Sequence, residues 1–168
     1  MANTTFSGPV RSESTIKTIS KNATSGTITE VVTFGDGPIS LSDGNVTLTN
    51  ATHSGRVLLV PDGGQDNTYT LPAPIAGSMF RFVYAGGAAD ATDALILTPG
   101  NSNFYIGGIT HLDTNADNVT VFSNGSSNSS VQLNVPQAFD ITIMGLNTTN
   151  YQIFGNATST TAPTFADQ

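Results

Sequence analysis

Val131-Gln132-Leu133-Asn134-Val135 is the stretch on which the reading of this chain turns. Apolar Val131, Leu133 and Val135 alternate with polar Gln132 and Asn134. That period of two places one face in a core and the other in water, as in a half-buried β-strand. Upstream, Val119–Phe122 is another strand candidate, separated from the first by a polar tip at 123–130 that contains Asn124-Gly125. Downstream, Ile141 with Ile143, and Tyr151 with Ile153, keep the same spacing.

Working toward the N-terminus, the pattern repeats as short strands between turn signals. The segment 27–34 is rich in β-branched residues and stops at Gly35-Asp36-Gly37-Pro38. Asp43-Gly44 separates 39–41 from 46–48 and predicts a hairpin, because Asp-Gly tolerates the positive φ of primed turns. Arg56–Val60 is an apolar run closed by Pro61-Asp62-Gly63-Gly64. The segment 68–71 ends at Pro72 and Pro74, which cannot donate ladder hydrogen bonds. Met79–Tyr84, 94–98 and 104–106 are further candidates. No window shows a 3.6-residue apolar period, and no internal repeat is evident. About ten short strands with regular turn signals predict an all-β fold, an antiparallel β-sandwich, jelly-roll-like body or barrel.

The predicted organisation is an extended N-terminal arm over 1–26, a β-sandwich body over 27–156 and a flexible tail over 157–168. The arm is rich in Ser, Thr, Asn and Lys, and the tail after Gly155 is rich in Thr, Ser and Ala.

Composition narrows the function. Charged residues are only 10% of the 168-residue chain, and cysteine is absent. Zero cysteines exclude disulfides, thiolate metal sites and a Cys nucleophile together. No stretch approaches the roughly 18 apolar residues of a membrane-spanning helix. The opening Met1-Ala2-Asn3-Thr4-Thr5-Phe6 lacks the basic and apolar regions of a secretory signal. Synthesis and assembly in a bacterial cytoplasm is the simplest expectation.

The net charge is −7, unevenly distributed. Arg11, Lys17 and Lys21 lie in the first 21 residues against Glu13 alone, whereas the remainder carries Arg56 and Arg81 against every other acid. A basic leader that docks on an acidic partner is the functional reading. The body has no basic patch to neutralise phosphates, so no nucleic-acid partner is expected.

Catalytic and metal signatures are weak. Only two histidines exist, His53 and His111, and no serine sits in a Gly-x-Ser-x-Gly elbow. His111 beside Asp113 reads as a surface or interface pair. Asp36, Asp43, Asp62, Asp66 and Asp117 lie next to Gly or Asn, which is turn chemistry rather than paired-carboxylate chemistry. Asp113, Asn115 and Asp117 match the opening oxygen ligands of a calcium loop. That loop has Asn118 where glycine is usual and Asn124 where the closing acid is usual. An Asx-rich turn is therefore the expectation, with no metal and no cofactor, and the chain is expected not to be an enzyme.

Two stretches resemble a known family. Met1-Ala2-Asn3-Thr4-Thr5-Phe6-Ser7-Gly8-Pro9-Val10-Arg11-Ser12 is similar to the start of small structural proteins of marine and freshwater tailed phages. Thr68-Tyr69-Thr70-Leu71-Pro72-Ala73-Pro74, through Gly77 to Phe80-Arg81-Phe82-Val83, resembles a Leu-Pro-Ala-x-x-Gly pattern followed by an aromatic strand, found in phage head-fibre and decoration proteins. The resemblance implies a virion protein added to the outer surface of the capsid, binding the major capsid protein and assembling as a homo-oligomer, trimer ahead of dimer. The expected capsid-docking residues are Phe6 as apolar anchor and Arg11, Lys17 and Lys21 as charge partners. The alternative is a receptor-binding fibre or spike module, whose loops 123–130 and 85–93 would meet host-surface glycans.

Overall fold

The computed structural model describes residues 16–34, 37–87, 89–115 and 117–168. The chain divides into two compact units, Met1–Asp36 and Gly37–Gln168.

In the first unit, β1 (Ile16–Lys21) pairs antiparallel with β2 (Ile28–Phe34), with a register shift between Thr18 and Ile19. The turn is built by Asn22, whose side-chain oxygen accepts the backbone N–H groups of Thr24 and Ser25, both at 2.9 Å. This local side-chain-to-backbone bonding is why Asn seeds turns. The second half of the expected extended arm is thus a hairpin strand. The boundary between the units falls after Asp36 rather than at residue 26.

The second unit is a sandwich of two mixed sheets. One has seven strands in the order β10-β9-β13-β12-β7-β5-β3, and the other five in the order β14-β11-β8-β6-β4. The first six strands are β3 (Ile39–Ser40), β4 (Val46–Thr47), β5 (Arg56–Val60), β6 (Asn67–Thr70), β7 (Met79–Tyr84) and β8 (Ala94–Leu97). They alternate between the sheets, and each pairs in parallel with the next strand in its own sheet. The chain therefore winds as three coils. Ile39, Leu58 and Phe82 stack in one sheet, and Val46, Tyr69 and Ile96 in the other.

This winding corrects the expected hairpin at Asp43-Gly44. Gly44 does adopt a positive φ of 105°, but its turn carries the chain from one sheet to the other. Likewise β10 (Val119–Phe122) and β11 (Ser130–Leu133), on either side of the polar tip, belong to opposite sheets.

After β8 the pairing becomes largely antiparallel. β12 (Ala138–Gly145) is antiparallel to both β7 and β13 (Asn150–Ser159). β9 (Phe104–Asp113) runs parallel to β13 and antiparallel to β10. In the smaller sheet, β11 is antiparallel to β8 and to β14 (Thr164–Ala166). The all-β sandwich stands as read, but its sheets are mixed rather than antiparallel throughout. A four-residue helix, α1 (Asn50–His53), joins β4 to β5 and is capped by the Thr49 hydroxyl.

Alternation along the strands fills the space between the sheets. Phe80 and Phe82, Ile141 and Ile143, and Tyr151 and Ile153 point inward and are fully buried. Aromatic rings bridge the layers, Tyr69 to Phe82 at 6.0 Å and Tyr105 to Phe165 at 6.2 Å between centroids. Each such side chain contributes about 1.5–3 kcal/mol of burial.

The tail is not frayed. β13 continues through residue 159, and β14 adds to the smaller sheet. Gln168 Nε2 donates to the carbonyls of Thr98 and Ser129, both at 2.8 Å.

Candidate functional site

Of the expected docking residues, Phe6 and Arg11 lie outside the described residues. Lys17 and Lys21 belong to β1, with backbone partners Thr33 and Ile28. They are placed on a paired strand and not on an open arm.

Because the coils wind in parallel, the turns β3→β4, β5→β6 and β7→β8 all fall at one end of the sandwich. Those turns carry Asp43, Asp62, Asp66, Asp90 and Asp93. The carboxylates fasten successive turns to one another. Asp43 accepts the Gly64 N–H at 3.1 Å, Asp90 accepts the Gly63 N–H at 3.3 Å, and Asp66 accepts the Asp93 N–H at 3.0 Å. Asp93 also accepts Gln132 Nε2 at 2.6 Å and the Val135 N–H at 2.9 Å. Two tyrosines feel this acidic end. Burial, then Asp90 and Asp62, push the Tyr84 phenol up to about 12. Burial, then Asp43 and Asp90, also raise that of Tyr69, whose buried hydroxyl has no hydrogen-bond partner. The turns at the opposite end, over 48–55, 71–78 and 98–103, contain no acid. The body thus has an electrostatic polarity along its strands.

The calcium-like loop is an Asx turn. Asp113 Oδ1 accepts the Asn115 N–H at 2.7 Å, and Asn118 Oδ1 accepts the Asp113 N–H at 3.1 Å. Among the described residues no group of three or more His, Asp or Glu is placed to hold a metal ion.

His111 is not at the surface, as its exposure is 1%. It points inward from β9, with Nε2 at 3.0 Å from Ser159 Oγ, while the Ser159 hydroxyl donates to the Thr161 carbonyl at 2.7 Å. This serine–histidine contact is closed to substrate, since Ser159 is itself only 2% exposed. The pair ties the end of β13 to β9. Its Nδ1 is buried without a partner.

The feature that sequence reading missed is the outer face of the seven-stranded sheet. Met79, Ile106, Leu112, Phe122 and Phe154 occupy outward positions there, with Phe122 69% exposed. No exposed large hydrophobic residue lies on a strand of the five-stranded sheet. Phe122, Gly108, Phe154, Thr142 and Arg81 form one row across five adjacent strands. Beside it Arg81 and Asp140 make a two-pronged ion pair, Nε to Oδ1 at 2.8 Å and Nη2 to Oδ2 at 2.5 Å. The Arg81 guanidinium holds the Asp140 carboxyl below its ordinary value, chiefly through these hydrogen bonds. A shallow depression of about 400 Å³ lies between Phe154 and the ion pair, floored by Thr142 and Gly155. The outward alternation of Met79, Arg81 and Val83 was visible in the sequence. What it could not show is that β9, β10 and β13 add their own apolar side chains to the same surface.

No protein-family model matches the chain, and no curated protein matches it.

Proposed function

We infer that the chain is a decoration protein of a tailed-phage head, bound to the outside of the capsid and reinforcing the shell through many weak contacts made multivalent by lattice symmetry. The observation that carries this reading is the uneven distribution of charge along the chain. Arg11, Lys17 and Lys21 fall in the first 21 residues against Glu13 alone, while the unit from Gly37 onward bears nine acids, Asp43 through Asp167, against Arg56 and Arg81. A basic leader attached to an acidic β body fits a protein that is held at one point and repels stray neighbours elsewhere. The leader's strand pair also offers backbone for pairing with an exposed strand edge on the shell. The major capsid protein is the proposed partner, and the sandwich contributes no chemistry of its own in this role.

Binding of the purified full chain to bare mature heads tests it, compared with the triple variant Arg11→Glu, Lys17→Glu, Lys21→Glu. Saturable binding at hundreds of copies, lost in the variant and weakened by salt, supports the reading. Absence from heads, with a handful of copies on tails, would replace it with the receptor-binding alternative.

A further inference from the structure

We propose that the outer face of the seven-stranded sheet is a self-association surface that seats the same face of a second copy about a two-fold axis. The inference does not depend on the capsid reading.

Charge selects this face. The body repels its own kind, carrying nine acids against two arginines. Five of those acids sit on the turns at one end, and on the outward positions of β7, β9, β10, β12 and β13 the charged residues are Arg81 and Asp140, which neutralise each other. The exposed large apolar side chains of the strands collect on this sheet and not on the five-stranded one. Exposed apolar side chains gathered on one face of an otherwise hydrophilic body mark an interface.

Size fits a reversible pair. The five strands from β10 to β7, about 4.8 Å apart with some six residues of about 3.3 Å each, make a face on the order of 500 Å². That lies below the roughly 800 Å² per partner of a standard interface and within the range of transient ones.

Sheet order supplies the symmetry. In β10-β9-β13-β12-β7, β13 is the middle strand, two places from β10 on one side and from β7 on the other. A two-fold axis laid along β13 preserves height along the strands and exchanges β10 with β7. Phe122 of each copy then comes down on Arg81 of the other, because both stand in the same row. The most exposed ring meets a guanidinium and the side of the depression that Met79 lines, a cation–π arrangement. Gly108 faces Thr142, small against small, and Phe154 meets its own counterpart at the axis, where two rings stack offset. The row is self-complementary, as a two-fold interface requires.

Sedimentation of the full chain at micromolar concentrations tests the proposal. A dimer is expected, strengthened by added salt as the acidic bodies are screened. Phe154→Arg and Phe122→Ser should each weaken it at least tenfold and leave the far-ultraviolet circular dichroism of the chain unchanged, since both side chains are exposed. Ile75→Ser, a change to an exposed side chain off this face, should leave it intact. The chain has no native cysteine, so Asn156→Cys, beside the axis on β13, should be captured as a covalent dimer by a short bis-maleimide, since facing sheets stand about 10 Å apart. A monomer or a trimer, association indifferent to Phe154→Arg, or a dimer dissolved by salt would each overturn the proposal. The last result would point to leader-to-body pairing instead.

Discussion

The hydroxyl of Tyr105, on the seven-stranded sheet, donates to the carbonyl of Ile96 on the five-stranded sheet at 3.2 Å. Tyr105 is fully buried, so its hydroxyl has left water and holds this bond across the middle of the sandwich. Tyr69 lies in the same core, yet its buried hydroxyl has no partner. The two tyrosines should therefore respond in opposite directions to loss of one oxygen. Tyr105→Phe is expected to cost about 1 kcal/mol, and Tyr69→Phe to stabilise by a similar amount by removing an unsatisfied buried group. Chemical denaturation of both variants checks the pair. Destabilisation by Tyr69→Phe would mean that its hydroxyl has a bound partner such as an internal water.

Val135 is the one non-glycine described with a positive φ, at 41°. A β-branched residue is strained in that region. The conformation is held by the bond from its N–H to Asp93. Its side chain is 41% exposed, so little packing is lost on replacement. Val135→Asn should raise stability by about 1 kcal/mol, read as an upward shift of the thermal midpoint.

Gly155 has φ of 147°, and a Cβ there would stand 2.2 Å from the Asp140 carbonyl oxygen on the neighbouring strand. Gly155→Ala forces the central β12–β13 pair apart, and a loss of more than about 3 kcal/mol is expected, beyond the ordinary range for a point change. An alanine variant that unfolds within 1 kcal/mol of the parent, on the order of a surface change, would contradict the packing described.

The Arg81–Asp140 pair gives a small pH dependence. Asp140 titrates below the unfolded value of about 3.9. Its stabilisation is therefore fully present above that pH and is lost as pH falls through the lower, folded value. Both side chains are more than a third exposed, which limits the contribution to under about 1 kcal/mol. Asp140→Asn should remove this contribution at neutral pH and flatten the profile on the acid side, measurable by denaturation across pH.

Asp113 should contribute locally. Its carboxylate accepts the Asn115 N–H at 2.7 Å, as an Asx turn does. Calcium is expected to leave the thermal midpoint unchanged, and Asp113→Ala to lower it by the equivalent of about 1 kcal/mol or less. A calcium-dependent rise abolished by Asp113→Ala would restore the metal reading of the loop.

The sequence by itself determined the β character and the place and inward face of most strands of the body, though not β1, β14 or the length of β9. These are local properties: Val131 and Leu133, Ile141 and Ile143, and Tyr151 and Ile153 alternate with polar neighbours, and period two permits no helix. It also determined the charge segregation, since Arg11, Lys17 and Lys21 are visible in any linear reading. Strand partnership was decided by tertiary structure. Asp43-Gly44 makes the same tight turn whether the flanking strands pair with each other or enter opposite sheets, and only long-range packing of Leu58, Tyr69, Phe82 and Ile96 selects the coil. The coil left no readable repeat, because the steps from Ile39 to Leu58 to Phe82 differ in length. Tertiary structure also decided the fate of His111, which lies beside a surface-like Asp113 in sequence but points inward from β9. It likewise formed the outer face, whose Phe122, Phe154 and Arg81 are far apart in the chain and become one row only when five strands align.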